Sequence, residues 1–273
     1  NFPTRGSVIV SKAPAAALKQ VFIDFGATNL QTTSDPNRAW NNVDSVIGTS
    51  NTGMLSPLVG VDGFSTGARL EMIRRFNGTN TSGATNTGIY PNTVTQDSLY
   101  GNTEAFGGLS NIFPAFRIAG LDPGGKYSLT FYASRSATDN RTAVYTVTGH
   151  SVSTTTLNAS SNIANTASLA NLSPSAAGEL IIELSPHASN NNANHFTYLS
   201  GLVISSSVHA VQAIRQPVVL HGQIVIDWSG NGVLETSPDL LSPWVPVTPA
   251  PTPPFVEQQS GGSRFYRLNT ASP

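Results

Sequence analysis

Asp139, Asn140 and Arg141 stand side by side in "SATDNRTAVYTVTG" (136–149), where a polar turn gives way to an alternating strand. A carboxylate, a carboxamide and a guanidinium in one short stretch can hydrogen-bond sugar hydroxyls, provided that aromatic rings nearby supply a stacking surface. Trp40, Tyr90, Tyr100 and Phe106 lie in loop-like stretches ("RAWNNVD", "GIYPNT", "SLYGNTEAFGG"), and Arg135 adds a further donor. The candidate glycan-binding set is therefore Trp40, Tyr90, Tyr100, Arg135, Asp139, Asn140 and Arg141. The same residues admit an architectural role, with the rings capping a core and Asp139 and Asn140 forming an Asx-type turn. Neighbouring Gly, Asn and Thr suit long ordered loops, which gives the architectural role more weight for the 136–149 stretch.

Other chemistries find weaker support. "GFSTG" (63–67) matches the G-x-S-x-G pattern of a nucleophile elbow, but that motif needs a strand, a sharp turn and then a helix. Here the following segment, "ARLEMIRRF", reads as a strand, so Ser65 is assigned to a turn and no catalytic residue is expected. The five histidines (His150, His187, His195, His209, His221) show no helical i, i+4 pairing. Asp24, Asp35, Asp44, Asp62, Asp97, Glu104 and Asp139 are the carboxylates that by type could pair in a glycosidase cleft. No EF-hand spacing is present, so no cofactor is expected beyond a possible structural calcium held by loop oxygens. The chain has no cysteine, which removes disulfides, thiol catalysis and Cys-ligated zinc.

The elements that must position these residues are strands. Runs such as "QVFIDFG" (20–26), "PAFRIAG" (114–120), "KYSLTFYASR" (126–135), "TAVYTVTG" (142–149), "ELIIELSP" (179–186) and "FTYLSGLVIS" (196–205) are bounded by Gly, Pro, Asn and Asp. In "KYSLTFYASR", Tyr127, Leu129 and Phe131 share one face while Lys126, Ser128 and Thr130 share the other, the period of a half-buried strand. No apolar 3-4 spacing persists over three turns, and "APAAALKQ" (13–20) is too short and Pro-containing to be more than a turn or linker. The prediction is an all-β protein: an antiparallel jelly-roll β-sandwich with a second, smaller β domain. Its expected divisions are an N-terminal strand and linker (1–17), the sandwich (18–206), a linker (207–217) and the small domain (218–273). In the small domain, "SGNG" between "IVIDW" and "VLETS" reads as a hairpin turn, and Trp228, Trp244, Phe265 and Tyr266 as an aromatic core.

Composition narrows the partners. Charged residues make up 11% of 273, roughly half the usual share, while 39% are hydrophobic, enough for a core. The net charge is −1 with no basic run, so nucleic acid and anionic membrane surfaces are not expected partners, and no apolar run is long enough to insert in a bilayer. Few charges and abundant Thr, Ser and Asn suit a secreted, extracellular or cell-surface bacterial protein. The start at Asn1 fits a mature form whose export signal has been removed.

Several motifs together resemble a jelly-roll domain of secreted glycan-processing and surface proteins of environmental bacteria: "VFIDFG", "WNN", "YGN", "GLDPGGKYSLTFYASR", "DNR" followed by Y-V-G, and "YLSGLVI". The C-terminal "GVLETSPDLLSPWVPVT…SRFYRL" resembles a short β-module that ends many such proteins. The resemblance implies a galactose-binding-like sandwich whose first and last strands pair, and it carries no catalytic residue. Ahead of that domain stands "GSVIVSK", a β-branched segment in which Val8, Ile9 and Val10 could add to a sheet edge of the same chain or of a neighbouring copy. The sequence-based expectation is accordingly a non-enzymatic extracellular structural protein whose partners are copies of itself, as an oligomer or filament. The alternative is a free-standing carbohydrate-binding protein whose partner is a polysaccharide, and the third is an accessory to a secreted esterase or glycosidase.

Overall fold

In the computed structural model the described residues are 20–61, 63–207, 218–220, 223–228, 233–252, 254–258 and 264–269. Val8, Ile9 and Val10, the "APAAALKQ" linker up to residue 19, the 208–217 junction, the "SGNG" turn (229–232), Asp62, His209 and His221 lie outside them. The chain divides into two compact units, one spanning 18–207 and the other containing 208–273.

The larger unit is built from strands β1 (Gln20–Phe25), β2 (Trp40–Val43), β3 (Met54–Leu55), β4 (Arg69–Arg74), β5 (Gly78–Asn80), β6 (Ser98–Gly101), β7 (Ala115–Ala119), β8 (Lys126–Tyr132), β9 (Thr142–Thr148), β10 (Val152–Asn158), β11 (Ala167–Leu172), β12 (Glu179–Pro186), β13 (Thr197–Leu199) and β14 (Gly201–Ser207). Two single-turn helices, α1 (Ser45–Gly48) and α2 (Asn92–Thr95), interrupt them. A five-stranded sheet runs in the order β11-β8-β14-β1-β2 and a six-stranded sheet in the order β10-β9-β12-β7-β4-β3. The first and last strands pair antiparallel, Gln20 opposite Ser205 through Asp24 opposite Gly201. One departure from the antiparallel expectation is β2, which joins β1 in parallel with Trp40 opposite Phe22.

Period-two alternation decides which residues enter the core. Tyr127, Leu129 and Phe131 of β8, Ala143, Tyr145 and Val147 of β9, and Leu180, Ile182 and Leu184 of β12 all belong to one buried cluster, as do Val21, Ile23 and Phe25 of β1. Phe131 stacks on Tyr145 with ring centroids 4.6 Å apart. Phe22, on the other face of β1, joins a separate cluster with Trp40, Val94 and Val203. Ser65 sits in a turn that bridges Val59 and leads into strand β4, not into a helix. A third, three-stranded sheet (β13-β6-β5) places Tyr198 opposite Tyr100 and Tyr100 opposite Gly78.

The smaller unit contains β15 (Val218–Leu220), β16 (Gln223–Ile226), β17 (Val233–Ser237), β18 (Val245–Pro246), β19 (Phe255–Gln258) and β20 (Phe265–Asn269). The expected hairpin between "IVIDW" and "VLETS" is not a paired ladder: β16 lies between β15 and β19, whereas β17 lies between β18 and β20. The buried apolar cluster comprises Ile226, Trp228 and Leu234, with Tyr266 and Phe255 packed against it. Trp244 lies outside that cluster, its ring 4.7 Å beneath the Arg267 guanidinium.

Candidate functional site

The structure sorts the candidate glycan residues into two aromatic groups that share no ring. Trp40 and Tyr90 lie on the face of the five-stranded sheet that points away from the main core. The Trp40 ring packs 5.1 Å from Phe22 and 5.5 Å from Tyr90, and Tyr90 continues to Tyr132 at 5.7 Å. The indole Nε1 donates to Asp35 Oδ2 at 2.9 Å. Trp40 is thus buried, with its polar handle used, and it caps this face of the sheet.

Asp139, Asn140 and Arg141 are committed to their own loops. Arg141 Nε donates to Asp139 Oδ1 at 2.7 Å and its Nη2 to Oδ2 at 3.2 Å, while Asn192 Nδ2 donates to the same Oδ2. The hydrogen bond from Arg141 holds the Asp139 carboxyl below the usual carboxylate range. The Asn140 side chain accepts from Thr142 N at 2.9 Å and from the Thr142 hydroxyl at 2.6 Å, an Asx turn that starts β9. Its backbone exchanges hydrogen bonds with Asn191. Arg141 also donates to the Tyr198 hydroxyl, with its guanidinium 5.7 Å from the Phe196 ring centre and 5.8 Å from that of Tyr198. The 136–149 stretch therefore ties the 187–198 loop to the sandwich.

Tyr100 belongs to the second group. Its ring is half-buried and meets Phe196 at 5.3 Å, Phe106 at 6.0 Å and Tyr198 at 6.3 Å. Phe106 contacts Phe196 at 4.9 Å and is 44% exposed. The 102–112 loop that presents Phe106 is braced by asparagine amides: Asn77 Nδ2 donates to Asn102 Oδ1 at 2.6 Å and to Phe106 O at 3.0 Å, and Asn102 Nδ2 donates to Glu104 O and Leu109 O. The Tyr100 hydroxyl makes no hydrogen bond among the described residues, and burial, with Tyr198 adding to it, pushes its pKa above the usual phenol value, so it stays a neutral donor. Gly78 faces it; a Cβ there would come within 3.0 Å of the Tyr100 oxygen. Arg135 donates to the carbonyls of Ser136 (3.1 Å) and Ser82 (3.4 Å), acts electrostatically on the Tyr198 hydroxyl, and forms no salt bridge among the described residues.

Phe196 and Tyr198 are the members of this group that composition and motifs do not reveal. Both sit in a run that reads as a plain strand, and their approach to Tyr100 depends on β13 pairing with β6 across a long stretch of chain. Among the described residues no three His, Cys, Asp or Glu side chains gather at one point.

The fold defines the class: an all-β sandwich protein with an accessory β unit. No protein-family model matches the sequence, and no curated protein matches it. Among solved structures, the plant receptor-like kinase FER is similar at 16% identity over 54% of this chain and 52% of that one, with a TM-score of 0.36. The ANXUR1 extracellular domain from Arabidopsis thaliana is similar at 12% identity (70% and 49% covered, TM-score 0.40), and the ANX1 ectodomain from the same plant at 11% (71% and 49% covered, TM-score 0.38). The chain spans about half the length of these structures.

Proposed function

We propose that the 18–207 sandwich is a non-catalytic carbohydrate-binding module of a secreted protein, with its contact surface at Tyr100 and Phe106. The observation that carries this reading is the pairing of a half-exposed phenyl ring with a half-buried tyrosine whose hydroxyl makes no hydrogen bond among the described residues. A pyranose presents apolar C–H faces to rings and hydroxyls to donors, so this surface supplies both kinds of contact. Arg135, beside Tyr198 and without a salt bridge among the described residues, adds a charged donor to it. Asp139, Asn140 and Arg141 support the site by holding Tyr198 and the 187–198 loop, and Trp40 and Tyr90 stiffen a different face.

Screening the purified chain against a glycan array tests the proposal. Tyr100→Ala and Phe106→Ala are expected to lower affinity for the best glycan at least tenfold, about 1.4 kcal/mol, while the sandwich stays folded by circular dichroism. An array without hits, or hits indifferent to both substitutions, removes the reading. Panels of ester and glycoside substrates are expected to show no turnover. The self-assembly expectation rests on Val8, Ile9 and Val10, outside the described residues, and no observation among the described residues favours it over glycan binding.

A further inference from the structure

Strand β1 carries Asp24 on the same face as Phe22, away from the main core, and the chain from 91 to 98 closes over it. Val94 rests where a Cβ on Gly201, the register partner of Asp24, would come within 3.1 Å. Asp97 lies where a Cβ on Gly26 would fall, 2.1 Å from Asp97 Oδ2, so the missing side chain at 26 lets a carboxylate sit on the backbone beside Asp24. Asp24 is 2% exposed and Asp97 0%.

One oxygen of each carboxylate is accounted for. Asp24 Oδ2 accepts from the Thr32 hydroxyl at 2.7 Å and from Thr32 N at 3.1 Å, and Asp97 Oδ2 accepts from Ala27 N at 2.6 Å. Thr32 is fixed in turn by Asn42 Oδ1, which accepts from its N at 2.7 Å, and by the Thr93 hydroxyl at 2.7 Å. The other oxygens, Asp24 Oδ1 and Asp97 Oδ1, are buried without a partner among the described residues, and so are the hydroxyls Thr95 Oγ1 and Ser98 Oγ of the same 91–98 segment. Neither carboxylate forms a salt bridge among the described residues, and the charged group that acts on Asp24 is Asp97 itself.

Two buried carboxylates without a counter-charge must hold either protons or a cation. Protonation neutralises the pair but supplies no contact that the described residues record for Asp24 Oδ1 or Asp97 Oδ1, whereas a cation would take both oxygens. Carboxylate and hydroxyl oxygens, without imidazole or thiolate, are the donor set of a hard divalent cation, which completes its shell of six to eight with carbonyls and water. We propose that Asp24 and Asp97, together with the Thr95 hydroxyl, hold a calcium-class cation that fastens the 91–98 segment to β1. This site is independent of the Tyr100 surface and stands or falls without it.

The cation-free protein has a distinct pH signature. Burial raises Asp24 from 3.8 to about 8 and Asp97 from 3.8 to about 7, with the Asp97 charge adding to the shift of Asp24. The folded state then keeps protons that the unfolded chain has lost, so its stability falls as pH rises from about 4 to about 8.

The test is calorimetric titration of CaCl2 into the chelator-treated full chain, with melting curves in calcium, magnesium and chelator at about pH 5 and about pH 8. Calcium is expected to bind with measurable heat and to raise the melting temperature at the higher pH above that in chelator. Asp97→Asn is expected to abolish the calcium response, and at the higher pH to melt no lower than the chelated parent, since it removes a buried charge. Should that variant not fold, the wild-type titration still decides. No calcium heat, or an Asp97→Asn variant that folds and still responds to calcium as the parent does, overturns the proposal in favour of a protonated pair or of non-specific binding.

Discussion

Tyr145 shows how a single polar atom can join two sheets. Its ring is wholly inside the core against Phe131, and its hydroxyl donates to the Tyr198 carbonyl at 2.6 Å, linking β9 to the small β13 sheet. Tyr145→Phe keeps the packing but leaves that carbonyl short of a partner. The expected cost is about 1–3 kcal/mol, read from urea denaturation, with the Tyr198 side and the Tyr100 surface loosened first. Asp139 makes a pH-dependent contribution of the opposite sense to that of Asp24. Its folded carboxyl is held low by Arg141, so the stabilisation is present above the ordinary carboxylate value and is lost as pH falls through the folded one. Arg141→Met is therefore expected to lower stability at neutral pH and to flatten the acid limb of the stability profile; an unchanged limb would mean that other carboxylates govern acid unfolding. The chemistry of these residues was legible in the sequence as a set of types. Which of them face a ligand was not, because Asp139 and Arg141 satisfy each other and Asn192, 53 positions away from Asp139, completes the bond set.

At the scale of elements, strands with strict alternation were the readable part. β8, β9 and β12 bury the faces that their period-two pattern marks, and β1 pairs with β14 as the placing of first beside last strand requires. Pairings set by long-range closure were not readable. Nothing local in "WNNV" distinguishes a parallel neighbour of β1, and "SGNG" carries hairpin-turn residues although β16 and β17 enter different sheets. Turn positions with no side-chain room are a third kind of information, visible only when the neighbour is known. Gly149 follows β9, and a Cβ there would lie 2.2 Å from the Ser173 carbonyl oxygen, which already accepts from His150 N at 2.8 Å. Because the obstacle is backbone, it cannot rotate away. Gly149→Ala is expected to cost about 1–3 kcal/mol in a denaturation experiment, by forcing the β9–β10 hairpin off the end of β11. A neutral substitution would show that the hairpin shifts freely.

For the whole molecule, the decisive feature is that each unit closes its own apolar cluster. The main cluster draws every member from residues 21–204, and the second one, around Trp40, from the same span. The smaller unit gathers Ile226, Trp228 and Leu234 with a few half-buried neighbours, all from 224–268. Burial of surface on folding scales with chain length, and a unit of roughly 60 residues hides only about 60% of what its unfolded chain exposes. With neither disulfide nor any group of three His, Cys, Asp or Glu side chains among its described residues, that unit has little beyond this small cluster to offset its conformational entropy. The two units should therefore behave differently when separated. A fragment of residues 18–207 is expected to fold, to melt cooperatively within a few degrees of the full chain, and to keep both the calcium response and the Tyr100-dependent glycan binding, since Asp24, Asp97, Tyr100 and Phe106 all lie in it. A fragment starting at residue 208 is expected to give a broad, weakly cooperative transition. Circular dichroism melts of the two fragments beside the full chain measure this directly. If 18–207 aggregates or melts far below the full chain, the apolar cluster of the sandwich is not sufficient on its own, and the smaller unit contributes to its stability.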